Sequence, residues 1–233
     1  MTDTPQFLEF HISCADIVES LAWYRNIGFT ELMTSDIRAH HYAVITDGLF
    51  CIGLHEDKRS VRGLTFVRQQ LAKHVRRQQI AGVPFDYAQL SDDEFNEAAQ
   101  ADPDGTLAIQ IEARTFSGTA ETTNIPVIGG LSHISLPCLR LAESLEFWQQ
   151  LGFIAVESGL EGQAELHMPG LIVHLDEGTR LPEFHFLPLN FAHSCRAVEN
   201  SNTPFTESDS GYTLTSPDGI RLMVANTEAA ALA

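Results

Sequence analysis

The chain has 233 residues, 44% of them hydrophobic and 19% charged, which is enough for one large globular domain or two smaller ones. Its net charge of −17 argues against nucleic acid as a partner, because phosphate binding needs a basic surface, whereas acidic clefts would attract a cationic ligand. It contains no apolar run near the roughly 20 residues that span a bilayer, and its N-terminus lacks the pattern of a signal peptide. The four scattered cysteines predict reduced thiols, and we expect a cytoplasmic protein with no membrane partner.

The first half of the chain is predicted to form two units, each with a leading strand, a helix and further strands. The elements predicted for the first unit are a strand over 7–14, a helix over 16–27 and strands over 40–45 and 49–55. Those predicted for the second unit are a strand over 63–67, a helix over 71–80, and a strand over 107–113 that follows an Asp-Pro-Asp-Gly turn. Residues 83–100 fit either a short exposed helix or a loop.

The second half is predicted to repeat this order after a linker. Residues 116–129 are rich in Thr and Gly without periodicity, which predicts a linker between domains over 1–115 and 130–228. The third unit has a strand and an amphipathic helix within 131–153. The elements predicted after that helix are strands over 164–168, 171–175, 189–195 and 211–215, and a last strand ending at 225, after a Ser-Pro-Asp-Gly turn.

An internal repeat relates the two halves. Two pairs of matching segments lie 124 positions apart, Glu19–Leu21 with Glu143–Leu145 and Gly28–Phe29 with Gly152–Phe153. At the same spacing, Glu9 on the first strand corresponds to His133 on the third unit's first strand. One polar side chain therefore occupies the same strand position in each half.

The order of the four units resembles the vicinal oxygen chelate superfamily, which groups glyoxalase I, bleomycin resistance proteins and extradiol dioxygenases. The segments that carry the resemblance are VESLAWYRNIGF, AESLEFWQQLGF, GLFCIGLHED and the DPDG and SPDG turns. The resemblance implies an α+β fold of four βαβββ modules, paired into two tandem glyoxalase-like domains whose curled mixed sheets form cups. Because residues 196–209 are polar and contain Pro204, we expect the last module's helix to be short or missing.

In the metal enzymes of this superfamily, ligands face inward from the first and last strands of each module. The first-domain positions that correspond are Glu9, Gly53, Gly63 and Gln110, or Ile109 if the turn is one residue shorter. One carboxylate cannot hold a cation, so a metal-free first cup is expected. The second-domain positions are His133, His174, Asn190 and Met223. His133 and His174 are therefore the candidate ligands of a divalent metal, either Mn, Fe, Ni or Zn.

Further polar residues are predicted to share the inward faces. The candidate ligand-binding residues are Glu9, His11, His55, Gln110, Asp176 and Asn190, and His185 or His193 would replace a ligand if the register of the fourth module differs. Glu9 and His11 could form an acid–base pair or simply a satisfied polar cluster.

Two functions remain open from the sequence. The first is a glyoxalase-like or bleomycin resistance-like protein with a degenerate metal site, which binds a small organic ligand, cationic or with vicinal oxygens, in its cup. The alternative is a metal-dependent lyase, isomerase or dioxygenase that works from the second domain. A monomer and a homodimer are equally compatible with the tandem modules.

Overall fold

The computed structural model describes residues 4–35, 38–57, 59–91, 95–117, 125–156 and 161–226. The first ten elements are β1 (Gln6–Ser13), α1 (Ile17–Asn26), β2 (Thr30–Leu32), β3 (Tyr42–Thr46), β4 (Cys51–His55), β5 (Arg62–Val67), α2 (Leu71–Ile80), β6 (Tyr87–Gln89), β7 (Glu97–Ala101) and β8 (Leu107–Ile111). The remaining ten are β9 (Gly130–Pro137), α3 (Leu141–Gln150), β10 (Ile154–Val156), β11 (Gln163–Met168), β12 (Leu171–Asp176), β13 (Glu183–Leu187), α4 (Phe191–Asn200), β14 (Phe205–Ser208), β15 (Gly211–Thr215) and β16 (Arg221–Ala225).

These elements form two open mixed sheets of eight strands with the same topology. The first sheet has the order β2-β3-β4-β1-β5-β8-β7-β6, and the second has the order β10-β11-β12-β9-β13-β16-β15-β14. In each sheet the first strand pairs parallel with the last strand of its own module and antiparallel with the first strand of the next. The predicted α+β fold of four modules in two tandem sheets is therefore confirmed.

The fourth module differs from its prediction, because residues expected to form a strand form the full ten-residue helix α4. Asn190 begins this helix by accepting a hydrogen bond from the backbone N–H of His193, as an N-cap residue does. Ser194 and Val198, four residues apart, are buried on its inner face. Pro204 lies beyond the C-terminus of the helix, where proline is tolerated.

Three strands occupy segments where the sequence pattern was weak. Residues 83–100, expected to be a helix or a loop, contain β6 and the beginning of β7. The leading strand of the fourth module is β13, which lies before Pro188 rather than after it. Strands β6 and β13 have only three and five residues, so their alternation is too brief to separate from a loop.

The helix-bearing faces of the two sheets share one hydrophobic core. Alternation along β1 directs Phe10 and Ile12 toward this core, together with Phe184 and Phe186 of β13. The rings of Phe10 and Phe184 meet edge to face, with centroids 4.9 Å apart. The opposite face of each sheet, where the superfamily's chemistry was expected, therefore points away from the other sheet. None of the helices described is long and apolar enough to cross a bilayer.

The Pro-Asp-Gly turns join the two halves by holding the repeated helices. Ser20 of α1 donates a hydrogen bond to Asp218 in the turn of the fourth module (3.0 Å), and Ser144 of α3 donates one to Asp104 in the turn of the second (3.1 Å). Ser20 and Ser144 are equivalent positions of the internal repeat. The two motifs detected in the sequence therefore contact each other in a reciprocal arrangement.

Candidate functional site

Polar side chains collect on the face of the first sheet that is turned away from its helices. Because side chains alternate along a strand, Glu9 and His11 of β1 share this face with Tyr42 of β3 and with Gly53 and His55 of β4. We call this face the first cup. The side chains of Glu9 and His55 are completely buried, and only 4% of the His11 side chain is exposed.

Hydrogen bonds fix Glu9 and His55 in the first cup. The Tyr42 hydroxyl donates to Glu9 Oε2 at 2.6 Å, and Glu9 Oε1 lies 3.2 Å from His55 Nε2. On the other side of its ring, His55 Nδ1 lies 3.0 Å from His40 Nε2. With Glu9 ionised, His55 Nε2 donates to the carboxylate and His55 Nδ1 accepts from His40. The chain of contacts runs from Tyr42 through Glu9 and His55 to the half-buried His40.

His11 lies beside this chain without a hydrogen bond of its own. Its ring stacks on that of His55, with centroids 3.6 Å apart and an interplanar angle of 8°. Neither Nδ1 nor Nε2 of His11 has a hydrogen-bond partner among the described residues, and the nearest carboxylate, that of Asp57, is 4.0 Å from Nε2. Buried ring nitrogens normally find partners, so His11 is the side chain here most available to a ligand.

The absence of a side chain at Gly53 makes room for the Glu9 carboxylate. A Cβ atom at this position would lie 2.5 Å from Glu9 Cδ and Oε2, closer than atoms can approach without displacement. Gly53 was expected to weaken a metal site because it offers no ligand. Its contribution is instead steric, since it allows the neighbouring strand to present a carboxylate at the same place.

Burial shifts the protonation equilibria of the first cup toward the uncharged forms. Burial raises the pKa of Glu9 to about 7, while the hydrogen bond from Tyr42 and the charge of Arg38 act in the lowering direction. The pKa values of His11 and His55 lie well below the usual range, chiefly because burial disfavours the imidazolium form. Both imidazoles are therefore neutral at pH 7, which is the form that ligates metals.

The residues of the first cup fit a transition metal. Only Glu9, His11 and His55, among the described residues, bring three ligand atoms within 4.8 Å of one another. Two imidazoles and one carboxylate suit Fe, Mn, Ni or Zn, and the ligands have outer partners, Tyr42 on Glu9 and His40 on His55. A cation here would also compensate the buried charge of Glu9. This compact set lies in the cup that was expected to be metal-free.

Described loop residues cover part of the first cup, and a cavity opens beside His40. The backbone N–H of Ser35 donates to Thr115 O at 2.7 Å, and Thr34 forms a β-bridge with Phe116. Apolar side chains fill the remainder, namely Leu8, Val44, Cys51, Ala99, Ile109, Ile111 and Phe116. A cavity of about 740 Å³ lies at the edge, lined by Arg38, His40 and Asp57 among others.

The corresponding face of the second sheet, the second cup, carries a stack of three histidines. It is the face that bears His133, His174, His185 and Met223. The His133 ring lies between His174, with a centroid separation of 3.9 Å, and His185, with a separation of 4.1 Å. Burial and the neighbouring histidines lower the pKa of His133 to about 3, and burial lowers that of His185 to about 4.

The nitrogens of this stack bind separate partners rather than converging on one point. His174 Nε2 lies 3.2 Å from Glu165, and His185 Nε2 lies 3.1 Å from the Ser135 hydroxyl. The two predicted ligands, His133 and His174, thus lie together as neighbours. They form a stacked pair, as His11 and His55 do in the first cup, but their nitrogens contact different side chains, Ser132 for His133 and Glu165 for His174.

The strand register changes the assignment of the fourth module. His185 of β13 lies directly opposite His133, and Met223 of β16 lies directly opposite His185. The first-strand position therefore belongs to His185, which was predicted only as a substitute, whereas Asn190 caps α4 and lies outside the cup. Met223 accepts a hydrogen bond from the Thr213 hydroxyl at 3.3 Å, so its thioether faces this cup.

Two further predicted residues have structural roles. Gln110 faces the helices instead of the first cup, because its side chain accepts a hydrogen bond from Arg68 Nε at 2.5 Å and Ile109 takes the inward position. Asp176 has the predicted parity with His174, but its carboxylate accepts from the Gly178 backbone N–H and from Gln163. His193 lies on α4 and is remote from the inward positions of β13.

No sequence pattern identified three further members of the first cup, namely Arg38, Tyr42 and Glu97. Arg38 forms an ion pair with Glu97 of β7, and its guanidinium lies over the rings of Tyr42 and Phe95. Tyr42 stands two residues after His40, so strand alternation could have placed it in the cup. Arg38 lies in a loop, where no periodic pattern predicts orientation.

Comparison with solved structures shows the same fold in dioxygenases and in a glyoxalase. The chain aligns over 95% of its length with 87% of a catechol 2,3-dioxygenase (TM-score 0.64, 13% identity) and with 82% of the Mn(II)-bound glyoxalase from Novosphingobium aromaticivorans (TM-score 0.64, 13% identity). It aligns over 97% of its length with 94% of the 2,3-dioxygenase LapB from Pseudomonas sp. KL28 (TM-score 0.65, 15% identity). No protein-family model and no curated protein matches the sequence. The expected fold is therefore confirmed, because two dioxygenases and a glyoxalase share it.

Proposed function

We propose that this protein is a metal-dependent enzyme whose metal is held in the first cup by Glu9, His11 and His55. The observation that carries the proposal is the convergence of three buried ligand atoms, with both nitrogens of His11 lacking a partner among the residues described. The substrate would be a small organic molecule with two neighbouring oxygens, reached through the cavity beside His40. Dioxygenases and a glyoxalase share the fold, and their chemistry is consistent with this class of substrate.

A bound divalent metal would supply Lewis-acid polarisation of a substrate oxygen. The chain's own residues would orient the ligands and exclude water from them. Tyr42 holds Glu9 Oε2 by donating its hydroxyl hydrogen, and the Thr115 hydroxyl lies 2.9 Å beyond Tyr42. His40 lines the cavity and lies with its Nε2 atom 3.0 Å from His55 Nδ1, so with a metal on His55 Nε2 the Nδ1–H group would donate a hydrogen bond to His40 and fix the orientation of the His55 ring. The buried, apolar surroundings would exclude bulk water from the three ligands.

Metal analysis with paired histidine variants tests the proposal. Protein stripped of metal and reconstituted separately with Mn²⁺, Fe²⁺, Ni²⁺ or Zn²⁺ is expected to retain about one ion per chain by elemental analysis. His11→Ala, which removes a proposed ligand, should reduce metal affinity by at least about 10- to 100-fold, the loss that is typical when only an outer partner of a ligand is removed. His133→Ala, at the equivalent position of the second cup, should retain the ion.

Each result of this experiment assigns the site. Retention of metal in folded His11→Ala together with its loss in His133→Ala would move the site to the second domain, as the sequence analysis expected. Failure to bind any of the four ions after reconstitution would exclude a metal enzyme. Circular dichroism of both variants separates loss of a ligand from loss of the fold, and His11→Gln provides a less disruptive substitution.

A second candidate function is metal-independent binding of a small cationic ligand in the second cup. It is favoured by the partly exposed carboxylates of Glu165 and Asp176 beside the histidine stack. Bleomycin resistance-like sequestration would work in this way. It predicts ligand binding that Glu165→Gln weakens and that chelators leave unchanged, measured by calorimetry.

A further inference from the structure

Arg38 presents an unused hydrogen-bonding edge inside the first cup. Its Nη1 atom forms the ion pair with Glu97, but Nε and Nη2 have no hydrogen-bond partner within the described part of the chain. Only 8% of the Arg38 side chain is exposed. Nε and Nη2 together form the side-on fork of a guanidinium, whose spacing matches the two oxygens of a carboxylate.

Other unpartnered atoms lie on the same face. Both ring nitrogens of His11 and the hydroxyl of Thr65 are buried without a hydrogen-bond partner among the described residues. Thr65 lies directly opposite Glu9 across β1 and β5, so its side chain shares the inward face. Since buried polar groups are normally hydrogen-bonded, their concentration here indicates a place for an occupant with several oxygen atoms.

The carboxylates near the cavity are already engaged, so they do not compete for the free edge of Arg38. Asp57 accepts from the Ser13 hydroxyl at 2.6 Å and from Arg59 Nε at 3.2 Å. Glu56 contacts His41 Nδ1 at 2.7 Å. The Tyr42 and Phe95 rings flank the Arg38 guanidinium and fix its plane.

We propose that Arg38 binds the carboxylate of the substrate, and that the substrate class is therefore small organic acids with an oxygen on the adjacent carbon, such as 2-hydroxy or 2-oxo acids. This inference rests on the proposed function, because it assigns the substrate of the same cup. The carboxylate would take the Nε and Nη2 edge, and the adjacent oxygen would face His11. The chain's net charge of −17 repels anions at long range, so recognition depends on this one buried fork.

Calorimetry with mandelate and mandelamide tests the inference, because the two molecules differ only in the charged group. Each would be titrated into metal-loaded and metal-free protein. The intact protein is expected to bind mandelate at least 10-fold more tightly than mandelamide. Arg38→Met should abolish this preference, and Arg38→Lys, which can keep an ion pair with Glu97, should lose most of it because lysine has no planar fork. The matched control is Arg25→Met, which removes the surface ion pair of Arg25 with Glu31. This variant should keep the preference for mandelate over mandelamide.

The outcomes separate this inference from the proposed function. If Arg38→Lys keeps its metal content but loses the preference for mandelate, both the metal enzyme and carboxylate binding by Arg38 are supported. A mandelate preference that depends on Arg38 in protein unable to bind metal would support the inference and refute the metal enzyme. Equal binding of the two molecules by intact protein, or a preference that survives in folded Arg38→Met and Arg38→Lys, would overturn the inference whatever the metal content.

Discussion

The two cups have the same strand topology but opposite characters. The first is partly covered by loop residues and holds Glu9, His11 and His55 in contact with one another beneath apolar side chains. The second is partly exposed and holds a stack of three histidines whose nitrogens bind Ser132, Ser135 and Glu165 separately. Histidine content alone therefore does not identify the better metal site, because convergence of the ligand atoms matters more than their number.

The difference between the two cups arises because the candidate histidine ligands of the first cup stand two residues further along their strands than the predicted ligand positions. The sequence resemblance predicted ligand positions at Glu9 and Gly53 in the first sheet, and of these two residues only Glu9 has a side chain that can bind a metal. His11 and His55 each stand two residues further along the same strands and face the same way. Because Gly53 has no side chain, the Glu9 carboxylate can lie over β4 and approach His55. The three candidate ligands, Glu9, His11 and His55, thus all come from the first module rather than from two modules.

Among the substitutions considered, one that fills the space at Gly53 should have the largest effect on the first cup. Gly53→Ala places a Cβ within 2.5 Å of the Glu9 carboxylate, so we expect a loss of about 1–3 kcal/mol in the free energy of unfolding and loss of bound metal. Chemical denaturation and elemental analysis measure the two effects. In a Glu9→Ala background the same substitution should cost much less, because the clashing carboxylate is gone.

Gly130→Ala is the matched control in the second sheet. A Cβ at Gly130 meets nothing within 4 Å, and the residue lies in β9, the equivalent of β1. Its effect should stay within about 0.5 kcal/mol. An equal loss of stability in Gly53→Ala and Gly130→Ala would show that strand flexibility, rather than the approach of Glu9, explains the first.

The second cup should respond to acid through its histidines. The pKa of His185 is about 4 in the folded chain, below its ordinary value of 6.5, so the unfolded chain binds more protons between these values. The stabilising contribution is present above pH 6.5 and is lost as the pH falls toward 4. The free energy of unfolding that the chain loses between pH 7 and pH 4 should therefore be about 1 kcal/mol smaller in His185→Gln than in the unchanged chain. Urea unfolding over this pH range measures the difference. The electrostatic effects of His174 and Arg221 on this pKa act in the same direction as burial, and that of Asp176 acts against them.

A matched variant shows whether this acid response comes from the stack. His41 is largely exposed and lies outside both the stack and the first cup's hydrogen-bonded core, so His41→Gln is the reference variant with which the pH dependence of His185→Gln is compared. If the free energy of unfolding changes with pH identically in His185→Gln and in the unchanged chain, burial in the stack does not hinder protonation of His185. The two cups would then differ in shape alone.

The architecture could be predicted from the sequence because the motifs that indicate it are local and occur in both halves of the chain. The match of Glu19–Leu21 with Glu143–Leu145 and the two Pro-Asp-Gly turns located the modules, and the structure adds that these motifs contact each other. The helix α4 was missed because its polar exposed face and Pro204 hid the N-cap signal of Asn190. The error in the position of β13 then carried over to the assignment of the site, since Asn190 took the place of His185.

The convergence of the first cup could not be read from the sequence for a different reason. Strand parity placed Glu9, His11 and His55 on one face, but their approach depends on the parallel register of β1 and β4, which pairs Ser13 with His55. Register between strands separated by more than 30 residues is set by the whole sheet rather than by any local pattern. The loop residue Arg38 is positioned by contacts with β3 and β7 and carried no signal at all.

The smallest effect is expected where the second cup is most exposed. Glu165 lies against both His167 and His174, and about 29% of its side chain remains exposed. Ion pairs of this kind are screened by water and contribute little, so Glu165→Gln should change the free energy of unfolding by less than about 0.5 kcal/mol. Urea denaturation at pH 7 measures it. A loss above about 1 kcal/mol would instead show that Glu165 orients the histidine stack as firmly as Tyr42 orients Glu9. The second cup would then be a preorganised site, and the contrast with the first cup would rest on access alone.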